Sequence, residues 1–436
     1  MKKEILKDKR YTHLDVKKNH KDYEELVKNI KWVSRHGFYP FIHFSINLDK
    51  YVDDVEGKHV KHKEREIYYS AHIDRYIYEY YGNLLNNAYN RYMKKQGIGK
   101  TSIAYRNNIP GKCNIHFAKE VFEYICKCKS AYVFIGDFSN FFDNLDHKYL
   151  KEALKQVLEK EKLNSAEYAI FKNLTKFTYI EAHDIENYKN MSRAEMRELD
   201  KYFDTDEFHD FKSKYLKKNE KAYGIPQGSS ISAVYANVYM IYFDKMMNDL
   251  ATSSGGLYRR YCDDVITVIP CSKNDFENES YKMMSKRIFA IRDQVKNLEL
   301  NEEKTEQFFY DNGNLQMITG KSSMINYLGF TFDGKWVRIR EKSLFKYYNR
   351  AYKKIKKVNI SKSESDFIAG KKAVYKSYTH LGNTKSRKKY GNFLTYAYKS
   401  QRIFENSDYL ACDISRQVKG HWNKINNRLK WNPEKI

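Results

Sequence analysis

Two adjacent carboxylates, Asp263 and Asp264, lie within the apolar segment RYCDDVITVIP at residues 260–270. A run of β-branched and aromatic residues predicts a buried strand or hairpin, and burying two unpaired charges side by side is costly. A third acid, Asp137, ends another apolar segment, AYVFIGD at 131–137. Carboxylates and substrate phosphates together hold Mg²⁺, and two such ions about 3.5–4 Å apart position the reacting oxygens in phosphoryl transfer. The three acids are therefore candidate ligands of a catalytic metal pair.

The two adjacent acids cannot both point the same way on a regular strand, because neighbouring side chains project to opposite faces. One of them can project like Asp137, and the other must use a turn to reach the same cation. We expect Asp263 to be the main partner of Asp137, with Asp264 close to both. An isolated acid pair is more often a solvated turn, but the apolar runs on both sides favour the metal-site hypothesis here.

The elements that would position these acids are a mixture of strands and helices. Residues 131–137 are predicted to form a strand, 256–270 two strands joined by a tight turn, and 325–340 a hairpin around an Asp-Gly pair. Periodic segments predict helices at 66–96, 144–163, 180–220, 224–247 after an initial turn, 282–298 and from 341 onward. The apolar face of the last helix comprises Leu344, Tyr347, Tyr348, Ala351 and Ile355. This mixture indicates an α+β core followed by a helical C-terminal lobe.

The composition favours a nucleic-acid partner. The chain has 436 residues, a net charge of +24 and a pI near 9.4, a surplus that favours polyanions, nucleic acid before membrane. No run of about 18 apolar residues indicates a membrane span, and the basic N-terminus lacks the apolar core of a signal peptide. The six cysteines form no Cys-x-x-Cys pair and no Cys/His cluster, so we expect free thiols in a reduced, cytoplasmic protein.

Five segments, in this order and spacing, resemble the successive palm motifs of bacterial reverse transcriptases. They are GDFSNFFDNLDH (136–147), GIPQGSSISAVYAN (224–237), RYCDDVITV (260–268), LELNEEKTE (298–306) and YLGFTFDG (327–334). Upstream, KEREIYYSAHIDR (63–75) resembles the fingers segment of group II intron enzymes, although SAHID replaces their IPTIRD-like sequence. SIAYRNNIPGK (102–112) is similar to the segment that follows it. The same motifs also resemble those of the related retron reverse transcriptases.

The resemblance implies an α+β, right-hand polymerase fold of fingers, palm and thumb. The expected fingers are residues 1–130, mostly helical, and the expected palm is 131–335, built on an antiparallel sheet with an inserted helical segment at about 151–220. Residues 336–436 would be a helical, basic thumb and C-terminal region. The thumb assignment depends on position and composition, because no motif marks it.

The resemblance also assigns the catalytic site. It makes Asp137 the first metal ligand, with the backbone carbonyl of Phe138 beside it, and Asp263 and Asp264 the acidic pair of a YxDD motif. At the x position, Cys262 is interpreted as a small residue that fits a tight turn rather than as a redox group. The implied cofactor is Mg²⁺, as two ions, with Mn²⁺ as a substitute.

Nucleotide selection is assigned to residues near these acids. Phe142, five residues after Asp137, matches the aromatic steric gate that leaves no room for a ribose 2′-OH; the alternative is an ordinary core residue. Gln227 matches a residue that seats the nucleotide. Gly224 and Gly228 would let the backbone approach the nucleotide and template closely, although this segment also reads as an ordinary helix start with a proline.

Three cations complete the nucleotide-binding assignment. Lys63 and Arg65 match a pair that grips the triphosphate, for which a guanidinium is well suited. Lys304 matches a lysine near the pyrophosphate leaving group and is either its general acid or a solvated lysine. Arg106 matches a fingers motif and could equally be structural.

The implied activity is RNA-directed DNA polymerisation. Its partners would be an RNA template, dNTPs and a DNA product. No membrane is expected among its partners, and the sequence does not decide whether the chain forms a homo-oligomer. The segments around YLGFTFDG and SAHIDRYIYEYY are similar to stand-alone defence-associated or abortive-infection enzymes, which implies antiphage defence with a dedicated noncoding RNA as template. Alternatives are untemplated or protein-primed DNA synthesis at the same site, and a non-catalytic RNA-binding protein on a polymerase scaffold. An RNA-templated RNA polymerase would use the same two-metal mechanism, but Phe142, as a steric gate against the ribose 2′-OH, argues against this alternative.

Overall fold

The computed structural model describes residues 6, 8–9, 11–54, 57–301, 304–320, 322–382 and 391–432, without the side chains of 48–54, 57–63 and 193. All six cysteines lie in these ranges and are free thiols, as the sequence predicts. None of the helices in the described ranges is both long enough and apolar enough to cross a membrane.

The helices are α1 Glu24–Lys28, α2 Ile30–Arg35, α3 His72–Lys95, α4 Asn114–Lys127, α5 His147–Leu158, α6 Ser165–Thr175, α7 Ala182–Lys189, α8 Arg193–Met196, α9 Thr205–Tyr215, α10 Ser232–Tyr239, α11 Ile241–Ser253, α12 Lys273–Glu277, α13 Ser280–Asp293, α14 Glu341–Asn359, α15 Glu364–Tyr378, α16 Phe393–Glu405, α17 Ile414–Val418 and α18 His421–Asn426.

The strands are β1 Phe41–Asp54, β2 Gly57–Tyr69, β3 Ser130–Asp137, β4 Thr178–Glu181, β5 Lys217–Lys218, β6 Leu257–Tyr261, β7 Asp264–Pro270, β8 Glu306–Asp311, β9 Asn314–Thr319, β10 Ile325–Tyr327, β11 Phe330–Phe332, β12 Trp336–Ile339 and β13 Ala411–Cys412. A short 3₁₀ helix spans Phe141–Asn144.

A five-stranded sheet, in the order β6-β7-β3-β8-β9, lies at the centre of the molecule, and every neighbouring pair in it is antiparallel. Its middle strand, β3, is buried on both faces because successive side chains alternate between two cores. Tyr132 and Phe134 pack with α3, α10 and α11. Val133 and Ile135 pack with α4 and the C-terminal helices. The expected antiparallel palm sheet is therefore present.

A second sheet joins the N-terminal hairpin to the middle of the chain. The hairpin of β1 and β2 is antiparallel, β4 adds to β1 in parallel, and β5 pairs with β4, so the order is β2-β1-β4-β5. The third sheet, β10-β11-β12-β13, ends with a parallel pairing between β12 and β13. That pairing attaches the C-terminal region to the hairpin predicted at 325–340.

The long helix α14 has the amphipathic character expected from its sequence. Tyr347, Ala351 and Ile355 are buried on one face, while Leu344 and Tyr348 of the predicted apolar face are half-buried. Its lysines lie on the other faces, which leaves a basic surface along the C-terminal helices.

The predicted helix at 66–96 is confirmed only from His72 onward, and the prediction is wrong for its first residues. Residues Glu66–Tyr69 end strand β2, and the N-terminal region contains a long hairpin in addition to helices. Glu, Lys and Arg have good helix propensity, so the charged sequence of β2 gives no strand pattern. Pairing with β1 along its length, a tertiary interaction, overrides that propensity.

Candidate active site

Strands β3 and β7 place two of the predicted acids directly opposite each other. Asp137 ends β3 and Asp264 begins β7, and the antiparallel register pairs these two residues. Directly opposite residues project to the same face of a sheet. Asp264, which we expected to be the less direct neighbour, is therefore the cross-strand partner of Asp137.

Asp263 also faces Asp137, but from the turn between β6 and β7. Burial first, and then the charge and direct side-chain interaction of Asp137, raise the pKa of Asp263 above its usual range. Burial within the cleft and the charges of Asp263 and Asp137 raise the pKa of Asp264 to about 7, while part of its side chain still reaches solvent. The three acids therefore repel one another, as expected for a site that a cation would complete.

Lys304 lies among these acids. Its Nζ atom forms an ion pair with Asp137 Oδ2, and its charge lowers the pKa of Asp264, as does that of Arg340. The Lys304 side chain is about half exposed, at 47%. Lys304 thus offsets part of the carboxylate charge from a half-exposed position.

The donor set fits Mg²⁺ bound together with substrate. Within the described ranges, no group of three or more His, Cys, Asp and Glu side chains is arranged as a preformed metal cluster. Asp137 and Asp263 interact directly, with Asp264 beside them. Since Mg²⁺ takes one or two protein carboxylates and completes its shell with water and phosphate oxygens, these acids suffice without a closed protein cage.

The turn that carries Asp263 is held by a buried ion pair. Cys262 has a φ of 62°, a left-handed conformation at the first residue of a two-residue hairpin loop. The Cys262 carbonyl accepts a hydrogen bond of 2.8 Å from Arg260 Nη1. Arg260 and Asp244 are both fully buried and paired at 2.7 Å.

Sequence reasoning missed Asp244 and Arg260. The only available signal was a pair of adjacent charged residues in each of two otherwise apolar segments, IYFDKMM and GLYRRY. Buried charges are normally paired, so a buried residue of this kind is expected to have an oppositely charged partner. Their pairing across 16 positions follows only from the packing of α11 on β6.

The backbone after Asp137 is tied to the same turn. Phe138 is buried, and its N–H donates to the Asp263 carbonyl at 3.3 Å. The Asp137 carbonyl accepts from the Asn301 N–H at 2.8 Å. The segment that carries Lys304 is therefore fixed to the end of β3, which explains how two motifs far apart in sequence meet.

Phe142 and the GIPQG segment form a connected unit. Phe142 lies in the 3₁₀ helix and is half-buried, with its ring 5.6 Å from that of Phe141 at 68°. The Ile225 N–H donates to the Phe142 carbonyl at 3.0 Å, and the Tyr68 N–H donates to the Gln227 carbonyl at 2.8 Å. GIPQG thus bridges the 3₁₀ helix and strand β2.

The two glycines of GIPQG approach the chain's own backbone. Gly228 has a φ of 123°, and a Cβ there would lie 2.5 Å from the Tyr68 carbonyl oxygen. A Cβ on Gly224 would lie 3.0 Å from the Asp143 carbonyl oxygen. Internal packing is therefore sufficient to explain why glycine occupies these two positions, whether or not they also approach a substrate.

The predicted cations of the fingers are less informative. Arg65 is exposed on β2, opposite Ile46 of β1, and the side chain of Lys63 lies outside the described residues. Arg106 donates to the Ser102 carbonyl at 2.9 Å and lies over the Tyr89 ring at 5.2 Å. These contacts give Arg106 a structural role.

The comparisons with known proteins agree with the arrangement of these motifs. A family model described as reverse transcriptase (RNA-dependent DNA polymerase) matches residues 83–332, more than half of the chain. No curated protein sequence matches this chain.

Solved structures similar to this chain include yeast telomerases. Apo telomerase from Candida tropicalis, truncated from its C-terminal domain, has a TM-score of 0.41 and 14% identity, covering 74% of this chain and 61% of that one. The apo telomerase of the same species has a TM-score of 0.40 and 14% identity, with coverage of 96% and 65%. Telomerase from Candida albicans with a TWJ fragment of telomeric RNA has a TM-score of 0.36 and 11% identity, with coverage of 95% and 64%.

This chain spans less than two thirds of the length of each of those telomerase chains. The family match confirms the right-hand polymerase fold that the sequence predicts, with the central antiparallel sheet as its palm. The chain belongs to the reverse transcriptase family.

Proposed function

We propose that this protein is an RNA-directed DNA polymerase that uses two divalent metal ions held at Asp137, Asp263 and Asp264. The observation that carries the proposal is the convergence of these acids from the end of β3 and the β6–β7 turn. Their mutual repulsion is the condition that bound cations relieve. The family match over residues 83–332 supports the same activity.

The bound Mg²⁺ ions would supply Lewis-acid stabilisation of the developing charge in phosphoryl transfer. The protein's own residues bind and orient. Asp137, Asp263 and Asp264 would hold the ions, with the backbone carbonyl of Phe138 next to Asp137 in sequence. Arg260 fixes the turn so that Asp263 keeps its place when substrate enters.

Lys304 would change partner during the reaction. In the structure it neutralises Asp137. With divalent ions held by Asp137, Asp263 and Asp264, the Lys304 ammonium group would be available as a general acid for the leaving pyrophosphate. Lys63 and Arg65 on β2 would grip the triphosphate, as the resemblance implies.

Sugar and nucleotide selection would depend on Phe142 and Gln227. Phe142 follows Asp137 on the same segment and is half-buried rather than fully packed away, so part of its ring is available to a substrate. Gln227 is fixed at its carbonyl by Tyr68, which leaves its side chain for the nucleotide. Gly228 keeps the two segments in contact.

We further propose fingers at 1–130, a palm at 131–335 and a thumb at 336–436, and a biological role in bacterial antiphage defence with a dedicated noncoding RNA as template. The lysine-rich face of α14 suits the phosphate backbone of a template–product duplex. The defence role rests on the resemblance of the sequence to stand-alone defence-associated enzymes. Sequencing the nucleic acid that copurifies with the protein, before and after phage infection, would reveal the template.

Primer extension on an RNA template tests the activity. The wild-type protein should incorporate dNTPs only with Mg²⁺ or Mn²⁺, and Asp263→Asn should abolish incorporation. Asp249→Asn is the matched control, because Asp249 is exposed on α11 and lies outside the proposed site. Undiminished synthesis by Asp263→Asn would rule out the proposed metal site.

A further inference from the structure

Tyr105 has a backbone conformation that is unusual for its type. Its φ is 56°, in the left-handed region that favours glycine and, among other residues, asparagine and aspartate. A large aromatic residue persists there only when its surroundings determine the conformation, and such residues cluster at functional sites. Tyr105 is also 52% exposed, so burial of the ring does not explain it.

The loop before Tyr105 is attached to the edge of the palm sheet. The Arg260 N–H donates to the Thr101 carbonyl at 2.9 Å, and the Ile103 N–H donates to the Arg260 carbonyl at 2.9 Å. These two bonds make Ser102 a parallel bridge partner of Arg260. The loop therefore pairs alongside strand β6 immediately before the catalytic turn.

Two asparagines fix the backbone around Tyr105. Asn86 Nδ2 donates to the Tyr105 carbonyl at 2.6 Å, and Asn237 Nδ2 donates to the Ala104 carbonyl at 3.0 Å. Both asparagines are buried, so these bonds are shielded from competing water. The surroundings thus hold the backbone in the left-handed conformation, which determines the place from which the ring projects.

That place is beside the catalytic turn. The rings of Tyr105 and Tyr261 lie 6.4 Å apart, tilted at 46°. Burial of the hydroxyl end, together with the neighbouring Cys262, Tyr261 and Asp263, raises the pKa of Tyr105 to about 12. The phenol is therefore neutral at physiological pH, with its hydroxyl toward the turn and much of its ring facing solvent.

We propose that the exposed ring of Tyr105 contacts the 3′-terminal nucleotide of the primer and positions it at the catalytic acids. This inference rests on the proposed polymerase function. Exposed aromatic rings form stacking platforms for nucleobases, and a fixed ring beside Asp263 lies where the strand carrying the reacting hydroxyl must end.

The placement favours the primer over the incoming nucleotide. The resemblance assigns Phe142 and Gln227 to nucleotide binding. The segments that carry them are hydrogen-bonded to each other, and the GIPQG segment is also hydrogen-bonded to β2. Tyr105 is instead tied to β6, the edge strand on the other side of the β7–β3 pair. The Tyr105 loop is therefore held by the central sheet, whereas the Gln227 backbone is held by β2 of the second sheet.

Equilibrium binding of a fluorescent RNA template–DNA primer duplex tests the inference on the full chain. The duplex is prepared with a normal or an abasic nucleotide at the primer 3′ end. Wild-type protein should bind the abasic duplex about tenfold more weakly, as expected for one lost base–aromatic stack. Tyr105→Asn should bind the normal duplex about tenfold more weakly and lose nothing further with the abasic one.

Three variants separate loss of the contact from loss of folding. Asparagine tolerates the left-handed conformation, so Tyr105→Asn should keep the wild-type unfolding midpoint, and Tyr105→Gly should show the same binding loss. Tyr105→Phe keeps the ring and should restore affinity. In primer extension, Tyr105→Asn should raise KM for the primer and leave KM for dNTP unchanged.

Several results would overturn the inference. One is wild-type affinity of Tyr105→Asn for the normal duplex. A second is an equal loss of affinity for the abasic duplex in the wild type and in Tyr105→Asn. A third is DNA covalently attached to Tyr105, which would make its hydroxyl a nucleophile instead. The proposed function is tested separately, because it fails if the wild-type protein does not extend a primer with Mg²⁺. The binding comparison requires no polymerisation, so the two failures can be distinguished.

Discussion

Arg260 Nη1 donates a hydrogen bond of 2.8 Å to the carbonyl oxygen of Cys262, the first residue of the turn between β6 and β7. The rest of the guanidinium is engaged by Asp244, at 2.7 Å from both Nε and Nη2. Both side chains are fully buried, so the interaction is shielded from water and salt. The position of the turn that carries Asp263 therefore depends on an ion pair in the core beneath it.

Breaking this ion pair should destabilise the protein and impair catalysis. Removing one partner of a buried pair costs about 3–5 kcal/mol, because the other charge is left uncompensated. We expect that loss for Arg260→Met and for Asp244→Asn in urea unfolding. The double variant Arg260→Met/Asp244→Leu should regain much of the stability, since apolar replacements of buried pairs are often neutral.

The same double variant separates stability from positioning. It still lacks the donor to Cys262, so primer extension should remain impaired and require a higher Mg²⁺ concentration than the wild type. Full activity in the double variant would show that the turn keeps its geometry without Arg260.

Gly228→Ala should destabilise the contact between GIPQG and β2. The added Cβ would meet the Tyr68 carbonyl oxygen at 2.5 Å, at a φ of 123°, and strained backbone conformations cost about 1–3 kcal/mol. Gly37→Ala is the matched control, because a Cβ there meets nothing within 4 Å. The free energies of unfolding of the two variants, measured by thermal denaturation, should differ by this amount. Equal unfolding midpoints would contradict the packing explanation for Gly228.

Phe142→Ala should admit ribonucleotides. The half-exposed ring would no longer occupy the space of a 2′-OH, so the ratio of kcat/KM for dNTP over rNTP should fall by about tenfold or more. Phe141→Leu serves as a control for packing, because Phe141 is buried next to it. Unchanged sugar selectivity in Phe142→Ala would assign this ring to the core instead.

His13 should make the protein less stable in mild acid. Burial lowers the pKa of His13 from 6.5 to about 3, with Nε2 at 3.1 Å from the Tyr69 carbonyl oxygen. The unfolded chain takes up a proton below about pH 6.5 and the native chain does not. The stability that His13 contributes is therefore complete above pH 6.5 and falls as the pH drops toward 3.

Urea unfolding at several pH values measures this effect. One proton corresponds to a slope of about 1.4 kcal/mol per pH unit between these limits. His13→Gln keeps a hydrogen-bond donor without a titrating group, so its slope should be smaller by that amount. An identical slope in both proteins would mean that other groups account for the acid sensitivity.

The sequence was sufficient to predict that three acids would meet and which strands and turn carry them. Asp137, Asp263 and Asp264 interrupt apolar runs, and a charge in such a run has few structural explanations. The hairpin at 256–270 and the α+β fold follow from the same alternation. The pairing of Asp264 with Asp137 required the strand register, which depends on where the turn begins.

Other features could not be read from the sequence because they depend on tertiary contacts. The hairpin of β1 and β2 carries charged residues with helix propensity. Asp244 and Arg260 find each other only when α11 packs on β6. Tyr105 is one of 39 tyrosines, and only its backbone conformation and its neighbours distinguish it.

The central claim is that Asp137 and Asp263 bind the catalytic cations. Electron paramagnetic resonance titration with Mn²⁺, in the presence of primer–template and a non-hydrolysable dNTP analogue, tests it without relying on activity. The wild-type protein should bind two Mn²⁺ ions per chain, whereas Asp137→Asn and Asp263→Asn should bind fewer and Asp249→Asn should match the wild type. Two ions bound with unchanged affinity in Asp137→Asn and Asp263→Asn would contradict the account.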